Sequence, residues 1–105
     1  MKCHHQKEVD MATRVEIRCI NKSTSVNPHE RILNVGGVNA DRTRWKLSQT
    51  DAIHGIAQNT YLFYVKHGRK LEYVVIASQF GWKYLKTTAD GEQPDGLLVL
   101  PECPA

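Results

Sequence analysis

The sequence predicts an α+β fold: a single small domain with a mainly antiparallel sheet of five to six strands and one helix packed on one face. Three observations carry this expectation. Runs with period-two alternation, or rich in β-branched and aromatic residues, recur along the chain. One capped segment, Ser48 to Asn59, has helical spacing, and glycine-bearing turns separate the last three strand-like runs.

Taken in order, residues 1–12 are polar and lack periodicity, and we expect a disordered leader ahead of a domain over 13–105, with Met11 able to serve as an alternative start. Val15, Ile17 and Cys19 alternate with Glu16 and Arg18, which predicts a first strand with one face in the core. Asn21 to Pro28 is expected to loop. Arg31 to Val38 reads as a second strand in which Gly36-Gly37 marks a bulge or a close backbone approach. After a turn over 39–42, Arg42, Arg44 and Lys46 fall on one face of an extended segment, and Thr43, Trp45 and Leu47 on the other.

The helix is predicted from about Gln49 to Gln58. Ser48 is a good N-cap with Asp51 three residues on, and Ala52, Ile53, Ile56 and Ala57 form the stripe that should be buried. Gly55 inside it costs about 1 kcal/mol against alanine, which implies a close approach there, and Asn59 suits the left-handed end. Thr60–Lys66, Leu71–Ser78 and Lys83–Thr87 form an antiparallel meander, reversed at Gly68 and Gly81. Two further turns, at Asp90-Gly91 and Pro94-Asp95-Gly96, lead to Leu97–Leu100, an apolar segment laid on the core.

The run Tyr84 to Pro104, together with Cys19-Ile20-Asn21-Lys22, Asn27-Pro28-His29-Glu30-Arg31-Ile32, Gly36-Gly37 and Trp45-Lys46-Leu47, resembles the small bacterial family of unassigned function catalogued as DUF3892. The resemblance covers roughly residues 14 to 104 and includes no known catalytic signature. What it implies is a fold rather than an activity.

Composition bounds the remaining choices. A domain of 105 residues leaves little interior for an enclosed active site, and a net charge of +3 permits contact with phosphates without demanding it. Cys3, Cys19 and Cys103 cannot all pair within the chain, and none lies in a Cys-x-x-Cys arrangement, so reduced thiols in a cytoplasm are expected. No apolar run is long enough to span a bilayer, and no membrane partner is expected. No cofactor is called for. His4, His5 and Cys3 lie in the leader, the other histidines and cysteines lack zinc-site spacing, and Asp90, Glu92 and Asp95 fail as a calcium loop because Pro94 takes a ligand position; no metal site follows.

Three functional readings remain. The first is a non-catalytic binding module for a protein or polymer partner, met on a loop surface of Pro28, His29, Glu30 and Arg31, the Gly81 turn with Phe80 and Trp82, and the turn bearing Asp90 and Glu92. At least one of the two rings is expected to pack into the core. The second is single-stranded nucleic-acid binding through Arg42, Arg44 and Lys46 with Arg69 and Lys70. The third is a small enzyme using His29 and Glu30, which as neighbours in extended chain would point to opposite faces, so the balance lies against catalysis.

Overall fold

The computed structural model describes residues 12–91 and 93–104; the leader expectation for 1–11 and the reading of Glu92 lie outside the described residues. The fold is α+β. Strands β1 (Thr13–Glu16), β5 (Tyr61–His67), β6 (Lys70–Gln79) and β7 (Trp82–Thr87) form a four-stranded sheet in that spatial order. Strands β2 (Cys19–Lys22), β3 (Ile32–Val38) and β4 (Arg44–Ser48) form a three-stranded antiparallel one. The single sheet expected from the sequence is thus two sheets, and among the strand pairs described only β1–β5 is parallel.

The division falls inside what the alternation presents as one strand. Ile17 N–H donates to the Tyr64 carbonyl of β5 at 2.8 Å, while Arg18 N–H donates to the Gly36 carbonyl of β3, also at 2.8 Å. The chain therefore changes sheets between two successive residues. Burial shifts by one residue at the step: Ile17 is buried and Arg18 exposed, but past it Ile20 enters the core while Cys19, expected on the core face, is only half-buried. Asn21 and Lys22, expected in a loop, extend β2.

Helix α2 (Gln49–Ala57) follows β4 without a linker. Its N-cap is Ser48, whose Oγ accepts from Asp51 N–H at 3.0 Å, and Asn59 ends the turn at φ 60°. Ala52 and Ile53 are buried and Ile56 half-buried against the core, but Ala57 is exposed, one residue beyond the face that meets the sheets. Gly55 is the close approach: a Cβ there would lie 2.5 Å from Cδ2 of Tyr61. Two single-turn helices were not anticipated, α1 (Pro28–Arg31) and α3 (Asp95–Leu98), so Arg31 is helical and β3 begins at Ile32. The second converts the expected apolar tail into a turn that drops Leu97 into the core.

Residues 61–87 form the expected meander. The long β6 pairs with β5 through Lys70–Tyr73 and with β7 through Val74–Gln79, so its two halves serve different neighbours. Phe63, Val65, Val74 and Leu85 from this sheet meet Ile20, Ile32 and Val35 from the other in one core.

Cys19 and Cys103 form a disulfide with Cα atoms 4.8 Å apart, which corrects the expectation of reduced thiols. An odd cysteine count does not prevent one pair from forming, and the fold brings residues 84 apart in sequence together on the surface of the three-stranded sheet. The thiol argument for a cytoplasmic setting falls with it. No helix among the described residues is long and apolar enough to cross a membrane.

Candidate functional site

The Pro28–Arg31 segment touches both of the other loops, the Gly81 turn through a stacked pair of rings and the 90–96 turn through a side-chain hydrogen bond. Pro28 occupies the first helical position of α1, where its missing N–H is no loss. Ahead of it the chain is ordered by one carboxylate: Glu30 Oε1 accepts from Ser25 Oγ at 2.8 Å and from Asn27 Nδ2 at 3.2 Å. Those two bonds hold the Glu30 carboxyl below the ordinary glutamate value. His29 and Glu30 share this helical turn, not an extended segment, and His29 Nε2 lies 3.7 Å from Glu30 Oε2. The opposite-face argument from the sequence therefore does not apply.

The His29 ring lies on the Trp82 indole, with ring centroids 5.1 Å apart and 10° between planes. Beneath this pair Gln49, at the start of α2 and buried, donates from Nε2 to the His29 carbonyl at 3.0 Å and accepts Leu85 N–H at Oε1 at 2.9 Å. One amide thus ties α1, α2 and β7 together. Arg31 reaches the third loop, donating from Nη1 to Gln93 Oε1 at 3.2 Å, and Gln93 Nε2 donates back to the Val26 carbonyl at 3.4 Å. Asp90 pins that loop to the end of β7, with Oδ2 on Thr87 N–H and Oδ1 on Gly96 N–H, both at 2.9 Å.

The β6–β7 reversal is a two-residue loop, since Gln79 pairs with Trp82. Phe80 and Gly81 have φ of 52° and 83°, the signs of a type I′ hairpin turn. Phe80 is 90% exposed and Trp82 60%, so neither ring packs into the core as one was expected to. The turn dihedrals decide this: they aim the Phe80 side chain away from the sheet, and the ring of Trp82 finds His29 instead. Val26, whose carbonyl Gln93 holds, is 80% exposed.

The basic residues are divided between the two sheets. Arg44 and Lys46 lie on β4 of the three-stranded sheet, Arg42 stands in the preceding turn at φ 73°, outside the extended segment expected for it, and Arg69 and Lys70 close the β5–β6 hairpin of the other sheet. Lys70 Nζ lies 3.6 Å from Glu72, and Lys86 Nζ donates to the Asp90 and Gly91 carbonyls.

Residues 16–101 match the family model described as "Protein of unknown function (DUF3892)". The chain belongs to the DUF3892 family. No curated protein and no solved structure matches it.

Two concavities lie apart from the loop surface of this DUF3892 chain. One, of about 280 Å³, runs between the sheets and is lined by Val15, Asn39, Trp45, Leu47, Tyr61 and Phe63. The other, of about 230 Å³, has the Cys19–Cys103 disulfide as one wall and Arg44 and Lys46 as another, with Trp45 and Pro104 at its sides. Neither is lined by a histidine or a carboxylate. Among the described residues no three of His, Cys, Asp and Glu gather as metal ligands. Sequence reasoning missed Gln49 and Gln93, since a polar residue that bridges distant backbone groups has no periodic signature.

Proposed function

We propose that this domain is a non-catalytic interaction module that docks a protein partner on the β6–β7 hairpin tip, with Phe80 and Trp82 as anchors. Phe80 carries the reading. A bulky side chain at positive φ costs roughly 1–2 kcal/mol, and its ring recovers almost nothing by burial at 90% exposure. Asparagine would suit that turn position better, so folding alone gives no reason for phenylalanine.

Trp82 supplies a second ring held in place by His29, on the helical turn that also carries Glu30 and the Arg31–Gln93 hydrogen bond. Aromatic anchors inside a polar rim are the usual anatomy of a protein-binding hot spot. Catalysis by His29 and Glu30 is disfavoured, because a carboxylate held at lowered pKa is a weaker base and neither concavity includes the pair.

The reading is tested by quantitative affinity capture from the native host with the wild-type chain and with Phe80→Ala and Trp82→Ala, followed by rebinding of the purified partner. Loss of the same protein with both variants, with the fold intact by NMR, supports it. Equal capture by all three chains overturns it.

A further inference from the structure

The C-terminal segment is fastened along the outer edge of β2. Ile20 N–H donates to the Pro101 carbonyl at 2.9 Å, Cys103 N–H donates to the Ile20 carbonyl at 3.0 Å, and Asn21 Nδ2 donates to Glu102 Oε1 at 3.0 Å. The disulfide locks this contact at the sheet surface. Gly36 makes room for it, since a Cβ on Gly36 would stand 2.9 Å from the Cys103 sulfur and 3.0 Å from that of Cys19.

Both sulfurs line the 230 Å³ trough, whose other wall carries Arg44 and Lys46. Among the described residues neither cation makes an ion pair or a side-chain hydrogen bond, and no carboxylate lines the trough. A disulfide whose Cys19 is half-exposed and whose Cys103 is buried, and which shares a trough with two unneutralised cations, has what thiol exchange needs. The positive field concentrates an anionic thiolate, and it stabilises the thiolate that leaves.

We propose that Cys19–Cys103 is a thiol-exchange site whose co-reactant is an anionic low-molecular-weight thiol, and that exchange unlocks the C-terminal segment from β2. Cys19 is the more exposed of the two and is the sulfur attacked. The incoming thiolate RS⁻ forms an S–S bond to Cys19 Sγ, the Cys19–Cys103 bond breaks, and its electron pair leaves on Cys103 Sγ beside the two cations. A second RS⁻ then attacks the sulfur of R and releases Cys19 as thiolate. Two RSH and one protein disulfide give RSSR and two protein thiols, with Cys19 and Cys103 reduced and the added thiol oxidised. This site is separate from the aromatic tip, and its failure would leave the reading of Phe80 untouched.

The test uses the full chain in a Cys3→Ser background, so that only the trough reacts. Reduction is followed by intact mass with glutathione as the anionic probe and cysteamine as the cationic one, at equal thiolate concentration. At low salt glutathione should react roughly tenfold faster, since a field of this kind raises encounter rates by ten or more. The ratio should fall toward one at 0.5 M salt or in Arg44→Gln/Lys46→Gln, both exposed positions that leave the fold intact. Peptide mapping should place the transient adduct on Cys19, and amide exchange at Ile20 and Cys103 should rise on reduction. Equal rates for the two probes at low salt would overturn the proposal. So would a reduction rate equal to that of global unfolding, or a chain isolated in air with both thiols free.

Discussion

The His29 imidazole lies flat on the Trp82 indole, 5.1 Å between centroids, and joins a helical turn near the start of the chain to the last strand of the meander. His29 Nδ1 is buried and has no hydrogen-bond partner among the described residues, so the ring serves here as a plane more than as a polar group. His29→Phe should therefore be neutral or slightly stabilising in urea unfolding, whereas His29→Ala should lose about 1–2 kcal/mol of stacking and burial. Equal losses in the two variants would show that the nitrogens, not the ring face, hold the turn.

Gln49 connects two backbone groups, the half-buried His29 carbonyl and the buried Leu85 N–H. Gln49→Ala should cost roughly 1–3 kcal/mol, the penalty of one orphaned buried donor, Leu85 N–H. Equilibrium denaturation reads it directly, and a loss under about 1 kcal/mol would contradict the assigned bridging role.

Gly55→Ala should destabilise the protein, although the same change in an open helix stabilises by about 1 kcal/mol. The new methyl would fall 2.5 Å from the Tyr61 ring, whose Cδ2 is too close to the backbone to swing clear. Tyr61→Ala should reverse the sign of the effect. A rise in melting temperature for Gly55→Ala alone would refute the contact.

Much of this architecture was legible because strand alternation, caps and glycine turns are local signals. Ser48, Asn59 and the Gly68 and Gly81 reversals are read from neighbours and sit where expected. The switch of sheets between Ile17 and Arg18 was not legible, because Val15, Ile17 and Cys19 alternate as one continuous strand would, and only the burial of Ile20 in place of Cys19 marks the step. Pro28 did carry a helix-start signal that a strand reading of Arg31 overrode. The pairing of Cys19 with Cys103 and the bridges made by Gln49 and Gln93 depend on contacts far apart in sequence, for which spacing holds no information. Of the surface, the three loops were placed together by residue type, but the exposure of Phe80 depended on turn dihedrals that its neighbours only partly announce.

Acid should loosen two specific places. Glu102 is held below the ordinary glutamate value by the Asn21 amide first and then by Lys22 N–H, and Glu30 by Ser25 and Asn27. Because the folded values are depressed, their contribution is fully present above the ordinary glutamate pKa and is lost as pH falls through it toward the lower folded value. Melting temperature between pH 6 and 3 should fall less steeply in Glu102→Gln and Glu30→Gln than in wild type. Unchanged slopes would contradict these assignments.

Nucleic acid offers a clear contrast with the protein-docking reading. Were Arg42, Arg44, Lys46, Arg69 and Lys70 to act together on a single strand, the logarithmic salt slope would approach about −3.5. Their division between two sheets predicts no submicromolar binding at physiological salt. Tight binding that is lost in Arg44→Ala would contradict the division's consequence.

The central claim is that Phe80 is kept for a partner and not for the fold, and Phe80→Asn separates the two. Asparagine tolerates the left-handed backbone at the first turn position, so the variant should unfold about 0.5–1 kcal/mol later than wild type while failing to bind the protein captured by the native chain. A variant that is less stable, or that binds that partner as well as wild type does, would contradict the account.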